Sequence, residues 1–250
     1  MAAIKLVSLN VEKSRHIDRG QSFLREVQPD VFCVQELYES AIPQIAATLS
    51  GAEYLYEPMT KRMREEPPEI QGIAIFSRLA IQKHDIRYYK GTRDAVPDSI
   101  QSDPSTYGNT NRVVITCDVE KGGMMYRIAT NHFAWTPDGK PDDVQREEIH
   151  LLLDILRDLD EFVLAGDFNA PRGGEIFGML AARYRDNVPL RYKTSLDLSL
   201  HRAGKSRPQE LLNKMVDGIF STPRYDVRDV ELLSGISDHC AIVANVSRAT

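Results

Sequence analysis

Over the first fifty residues, short apolar runs alternate with segments whose apolar positions recur every three or four residues. IKLVSLNV predicts a buried strand, residues near 17 to 28 a helix, VFCVQEL a second strand and residues near 40 to 49 a second helix. The middle of the chain is richer in strands. GIAIFSR, IQKHDIRYY, NRVVITCDVE and MMYRIATNHF follow one another, and the KGG at 121 to 123 turns the last two into an antiparallel hairpin. Residues 141 to 159, PDDVQREEIHLLLDILRDL, open on Pro and acids and set Ile149, Leu152, Leu153, Leu156 and Leu159 on one face, the pattern of an amphipathic helix. Then come the strand FVLAGDF, a short helix near 175 to 184, an irregular stretch to about 213, and the strands MVDGIFS, VRDVELL and HCAIVANV. Roughly ten strands with few helices, partly βαβ and partly meander, imply an α/β fold of two sheets packed face to face with helices outside. The polar, proline-containing stretches 59 to 71 and 91 to 110 read as surface loops, long enough to carry function. No repeat or linker divides the chain, so residues 1–250 are read as one domain.

Composition narrows the partners more than the fold. The chain is 42% apolar and 27% charged, ordinary for a globular protein, with a formal net charge of -5. That charge argues against coating nucleic acid by bulk electrostatics and leaves room for a locally positive cleft or a metal ion. Cys33, Cys117 and Cys240 sit widely spaced in apolar runs, so they read as small core residues rather than disulfides or a zinc site. They point to a reducing compartment. The start MAAIKLVSLN has no basic segment leading into a long apolar one, and no run approaches ~18 apolar residues. The expectation is a cytoplasmic protein, away from membranes, with no obligate protein partner evident.

Chemistry gathers where the strands end. In a strand, residues i and i+2 face the same side, so Asp167 and Asn169 point together from the end of FVLAGDF. Asn10 and Glu12 share a face at the end of SLNVE, Glu36 closes VFCVQE, and His132 closes IATNHF. Asp217 lies within MVDGIF, and Asp238 and His239 immediately precede the last strand. Taken singly, each reads as a polar cap or a satisfied hydrogen bond. Six strands ending this way are harder to explain by capping. Five carboxylates in one cleft would repel one another and rise in pKa, which a hard divalent cation such as Mg²⁺, with its taste for carboxylate, amide and water oxygens, would relieve. Zinc is disfavoured because no His/Cys cluster has ligand spacing. His239 could contact a phosphoryl oxygen while Asp217 orients its other ring nitrogen.

Together SLNVE, VQE, TNHF, GDFN, VDGIF and the late SDH resemble the endonuclease/exonuclease/phosphatase family, in the family's order from residue 8 to residue 239. That family includes deoxyribonuclease I, exonuclease III-type apurinic endonucleases, tyrosyl-DNA phosphodiesterases of the second type, inositol-polyphosphate 5-phosphatases and bacterial sphingomyelinases. The resemblance implies a four-layer α/β/β/α sandwich, two mostly antiparallel sheets with helices outside, and a site at one sheet edge. It implies Glu36 as the principal metal ligand, with Asn10, Glu12 and Asp238 completing or bridging the metal shell through water. Asp167 would orient or deprotonate the attacking water, Asn169 would hydrogen-bond the phosphate, and His239, oriented by Asp217, would stabilise the pentacovalent phosphorus. His132 matches a position that is Tyr in the apurinic endonucleases, which argues against an abasic-site enzyme. The expected activity is a Mg²⁺-dependent phosphoesterase, with Mn²⁺ as a substitute, hydrolysing a phosphodiester in DNA, RNA or a related compound, as an endonuclease or a tyrosyl-DNA-phosphodiesterase-like enzyme. A phosphomonoesterase on a small phosphorylated sugar, lipid or nucleotide and a catalytically silent phosphate-binding module stay open.

Substrate contacts are read from the loops. Trp135, beside Pro137 and Gly139, is open between stacking on a base and filling the wall of the cleft, whereas Phe133 reads as core. Arg172, with Lys61, Arg62, Arg64, Arg202, Lys205 and Arg207, could meet backbone phosphates. Arg112 and Arg146 are assigned to structural ion pairs, and His201 to the surface.

Overall fold

The computed structural model describes residues 2–249 apart from 101, 102, 104, 105 and 107. In chain order the strands and helices begin β1 (Ile4–Asn10), α1 (Ile17–Val27), β2 (Val31–Tyr38), α2 (Ile42–Thr48), β3 (Glu53–Arg62), β4 (Glu69–Ser77), β5 (Ile81–Lys90) and β6 (Asp98–Ser99). They continue as β7 (Arg112–Lys121), β8 (Met124–His132), α3 (Asp143–Arg157), β9 (Val163–Asp167), α4 (Glu175–Ala181), β10 (Arg185–Asp186), α5 (Pro208–Leu211), β11 (Asp217–Ser221), β12 (Tyr225–Leu233) and β13 (Ala241–Arg248).

A seven-stranded sheet runs β12-β13-β1-β2-β4-β3-β6 and a six-stranded sheet runs β10-β11-β9-β8-β7-β5. Most neighbours are antiparallel; the long parallel pairs are β1 with β2 and β8 with β9. A parallel pair needs a crossover, and α1 and α3 supply them. The β7–β8 hairpin closes through Gly122 and Gly123, both at positive φ (60 and 76°), the backbone a two-residue hairpin turn requires.

Side-chain alternation builds three apolar seams. Ile4, Leu6, Val31, Cys33, Ile115 and Val163 meet between the sheets. The opposite faces of the same strands, Val7, Leu9, Phe32 and Val34, meet Phe23, Leu24, Ile42 and Ile45 of α1 and α2. Leu164 and Phe162 meet Ile149, Leu152, Leu153 and Leu156 of α3. The result is a four-layer α/β/β/α sandwich. Asp142 caps α3 by accepting the Gln145 backbone N–H at 2.8 Å.

Toward one edge the inward positions turn polar. Gln35 Nε2 donates to Thr130 Oγ1 across the two sheets at 3.1 Å, and Thr130 donates in turn to the Ala165 carbonyl at 2.8 Å. This seam separates the apolar core from the strand ends that carry Asn10, His132, Asp167 and Asp217.

The structure departs from the sequence reading around 53 to 71. The stretch expected as a loop from 59 is the end of β3 and the start of β4, paired from Glu53↔Ser77 out to Arg62↔Glu69. Glu and Pro within EYLYEPMTKR blur the alternation that marks a strand. The helix expected over 40 to 49 is a 3₁₀ turn at 39–41 followed by the shorter α2. The expected loop 91 to 110 contains β6 and includes 101, 102, 104, 105 and 107, which lie outside the described residues.

Candidate active site

Register brings the polar strand ends together. β8 and β9 set His132 beside Asp167, and β9 and β11 set Asp167 beside Asp217. The approach of β9 to β8 depends on Gly166, where a Cβ would fall 2.1 Å from the Asn131 carbonyl oxygen. From the other sheet, Asn10 donates Nδ2–H to Asp167 Oδ2 at 3.0 Å, while its Oδ1 accepts the Glu12 N–H at 2.9 Å. Asp167 Oδ1 accepts the Asn169 N–H at 2.8 Å, in a turn where Asn169 takes φ 50°, a region asparagine tolerates. Asn169 also donates Nδ2–H to the Phe133 carbonyl at 3.0 Å.

Two imidazoles face Asp167 Oδ2: His132 Nε2 at 3.5 Å and His239 Nε2 at 4.0 Å. Their charge states differ. Burial drives His132 below its ordinary pKa, and the neighbouring Arg112 and His239 add to the shift against the attraction of Asp167 and Glu36. Burial pulls His239 the same way, but Asp217 and Asp167 overcome it, so its pKa lies well above the ordinary value. Its Nδ1 sits 2.7 Å from Asp217 Oδ2. Burial and Asp217 raise the carboxyl of Asp167, with His239 and His132 opposing. One imidazole shifted toward the neutral form, one shifted toward the imidazolium and a carboxylate shifted upward therefore share one spot.

Glu36 reaches this spot through a bulge. At φ 55° it breaks the β2–β4 register between Val34 and Leu37, so that Gln35 still faces the partner sheet while Leu37 joins the α-helical side. Its carboxylate lies 3.6 Å from Lys13 Nζ and 3.9 Å from His132 Nε2. Burial opposes ionisation, but Lys13, His132 and Arg62 hold its pKa down to about 2. Asp238 shows the reverse. Burial raises it to about 7, with Glu12 and Glu36 adding repulsion and His239 opposing.

These groups line a cleft with two hollows. The larger, about 620 Å³, is bordered by Asn10, Glu12, Glu36, Asp167, Asn169, Asp238 and His239. The smaller, about 310 Å³, contains His132 and shares Lys13, Glu36, Trp135, Asn169 and Arg202 with the first. Asp217 stands behind His239. Trp135 is 57% exposed on the common rim, and Phe133 is buried.

The sequence model of the Endonuclease/Exonuclease/phosphatase family matches residues 7–239. The chain belongs to that family. Its members are hydrolases acting on phosphoric esters and are generally dependent on a divalent metal. The structure is similar to an endonuclease/exonuclease/phosphatase from Bacteroides vulgatus, at 14% identity over 100% of both chains with TM-score 0.74. It is similar to the human nocturnin catalytic domain with bound sulfate, at 18% identity over 99% of this chain and 94% of that one, TM-score 0.70. It is also similar to a mannosyl-6-phosphatase from Bacteroides thetaiotaomicron, at 14% identity over 98% and 99%, TM-score 0.70. At such identities the shared property is the fold. The comparison with curated protein sequences finds no match. No helix among the described residues is long and apolar enough to cross a membrane.

The donor set of the family site fits a hard cation. Asn10, Glu36 and Asp238 offer oxygen ligands, and Asp238, raised first by burial and further by Glu12 and Glu36, is a carboxylate whose charge a divalent ion would stabilise. Asp167, Asp217 and His239, whose ligand atoms lie within 4.8 Å of one another, form a second group that could hold an ion. Glu12 is engaged elsewhere. Its oxygens pair with Arg15 at 2.7 Å and His16 at 3.2 Å, although it still borders the larger hollow.

Arg172, expected against substrate, borders neither hollow. Its guanidinium pairs with Asp186 at 2.8 Å and donates to the Val188 carbonyl at 2.9 Å, pinning the segment after β10. Arg112 ties Glu148 at 3.4 Å and the carbonyls of His132 and Phe133, and Arg146 ties Glu175 at 2.8 Å. Of the basic residues singled out by sequence, Arg62 and Arg64 border the smaller hollow, Arg207 the larger and Arg202 both. His201, assigned to the surface, borders the larger hollow, its Nδ1 accepting the Ala203 N–H at 3.1 Å. Sequence reasoning also passed over Ser195. Its Oγ accepts the Val216 and Asp217 N–H groups at 3.1 Å and its carbonyl accepts the Cys240 N–H at 2.7 Å, fixing both members of the His239–Asp217 pair. No strand pattern marks such a residue in advance.

Proposed function

We propose that this protein is a Mg²⁺-dependent phosphodiesterase whose substrate is nucleic acid, DNA or RNA, with Mn²⁺ able to replace Mg²⁺. The observation that carries the reading is the convergence on Asp167 Oδ2 of Asn10, His132 and the Asp217-held His239 beside an all-oxygen acid set. Glu36, Asp238 and Asn10 would hold the cation, with Glu12 acting through water. Bound there, it offsets negative charge on the phosphoryl oxygens.

Asp167 accepts the proton of the attacking water, its raised pKa bringing it nearer the operating pH than an ordinary carboxylate. The Asn10 and Asn169 hydrogen bonds fix the direction of its lone pairs. As the new P–O bond forms and the ester P–O bond breaks, the His239 imidazolium donates to an equatorial phosphoryl oxygen, Asp217 keeps the ring in place, and the leaving oxygen departs with the bonding pair and takes a proton from solvent. Asn169 keeps one amide N–H for the phosphate. Trp135, exposed on the rim, offers a stacking face to a base.

A phosphomonoesterase acting on a small phosphorylated sugar is the second reading, favoured by the shared fold of the mannosyl-6-phosphatase. The test is hydrolysis of bis-p-nitrophenyl phosphate and labelled oligonucleotides, with orthophosphate release from phosphomonoesters measured in parallel, in Mg²⁺ and in Mn²⁺. Diester cleavage exceeding orthophosphate release supports the proposal. Orthophosphate release alone overturns it, and binding of Mg²⁺ with no turnover on any substrate assigns the chain to silent phosphate binding.

A further inference from the structure

The two stretches that the sequence marks as functional by length, 59 to 71 and 91 to 110, meet at the smaller hollow. The first provides Arg62, Arg64 and Gln71, the second Ser99 and Thr110. In a chain of net charge -5, this hollow has Glu36 as its only acid among the described residues, against Lys13, Arg62, Arg64, Arg112 and Arg202. Several of these cations are already paired. Lys13 faces Glu36, Arg64 holds Glu65 and Arg112 holds Glu148.

Arg62 is different. It is half-buried, yet among the described residues it forms no ion pair; Nε donates to Gln71 Oε1 at 2.5 Å and Nη1 to Ser99 Oγ at 3.0 Å, both neutral partners. Burial lowers its pKa, with Glu36 opposing. Strand pairing to β4 and to β6, Arg62↔Glu69 and Arg62↔Ser99, fixes its backbone. A preorganised guanidinium with neutral supports keeps its charge available to a phosphate, two of whose oxygens can accept from the N–H fork. The hollow shares Asn169 and Glu36 with the catalytic one, so an anion there is a neighbour of the group attacked.

Resting on the phosphodiesterase reading, we infer that this hollow is a second-phosphate subsite, holding the phosphate that flanks the scissile one while the base between them lies on Trp135. The preferred substrate then carries two phosphates on one nucleoside. Arg62 acts by binding, and Gln71 and Ser99 position it.

Calorimetric titration with adenosine 3′,5′-bisphosphate and adenosine 5′-monophosphate tests the subsite without turnover. The intact protein should bind the bisphosphate at least about tenfold more tightly, the scale of one charge-assisted contact. Arg62→Gln should abolish that preference and Arg62→Lys should restore part of it. Equal affinity of the intact protein for the two ligands overturns the inference whether or not any variant folds, as does an undiminished preference in a folded Arg62→Gln protein. Hydrolysis of bis-p-nitrophenyl phosphate, which has a single phosphate, reads the catalytic proposal separately. Selective binding without hydrolysis leaves the subsite standing and removes the phosphodiesterase; hydrolysis without selectivity does the opposite.

Discussion

His239 Nδ1 lies 2.7 Å from Asp217 Oδ2, and the two residues belong to different halves of the sandwich: Asp217 opens β11 of the six-stranded sheet, and His239 leads into β13 of the seven-stranded one. Burial would lower the imidazole pKa, and Asp217 then Asp167 raise it well above 6.5. A raised histidine contributes stability that is full below its unfolded pKa and fades as pH climbs through the folded one. Asp217→Asn should therefore destabilise by about 3–5 kcal/mol near pH 6 and by progressively less in alkaline solution. Urea midpoints of both proteins across that range check the sign, and a gap that widens with rising pH would contradict it.

Asp167→Asn keeps the shape of the side chain and removes its basicity. It should lower kcat on a diester by ~10²-fold or more while the chain stays folded. His239→Ala should match that loss, because both act in the same transition state. Single-turnover rates with the metal saturating separate this from weakened binding.

Arg172 serves the fold. Arg172→Ala breaks the Asp186 pair and the bond to Val188, and should destabilise by about 2 kcal/mol. KM for oligonucleotides should move less than about twofold, since a group outside the cleft adds no binding energy. A tenfold rise in KM at unchanged melting temperature would return Arg172 to the substrate.

Gly166→Ala tests the register directly. The added methyl meets a backbone oxygen, which cannot swing aside, so overpacking of about 1–3 kcal/mol is expected. Since β8 must then retreat from β9, His132 and Asp167 separate and kcat should fall more steeply than the melting temperature. Equal retention of both would mean that the strands absorb the methyl elsewhere.

The residues whose place was legible in the sequence are those for which alternation alone decides direction. Asn10, His132, Asp167 and Asp217 each lie two or four residues beyond an inward-facing apolar position, so the period of two carries them to the cleft. Glu36 shares their strand-end position but reaches the site through a positive-φ bulge, which no hydrophobic pattern announces. β3 was obscured because its polar half pairs with β4 at the sheet's rim, where apolar side chains are not required. Arg172 follows GDFN closely enough to suggest the cleft, but its direction is set by Asp186, fourteen residues later. Arg62 was legible only as one of several loop cations; its supports, Gln71 and Ser99, and the placement of Ser195 come from tertiary pairing that short-range sequence patterns do not record.

Glu12, Lys13 and Ser14 occupy three successive left-handed backbone positions, at φ 43, 60 and 59°, between β1 and α1. Each sits roughly 1–2 kcal/mol above the right-handed alternative. Glycine would rest there comfortably, but it would strip the cleft of the Glu12 carboxylate and the Lys13 ammonium. Directed evolution rewarding heat resistance alone should therefore drift toward glycine in this turn and discard function as it gains robustness, so that a library scored on both traits would reveal the turn as the place where they collide.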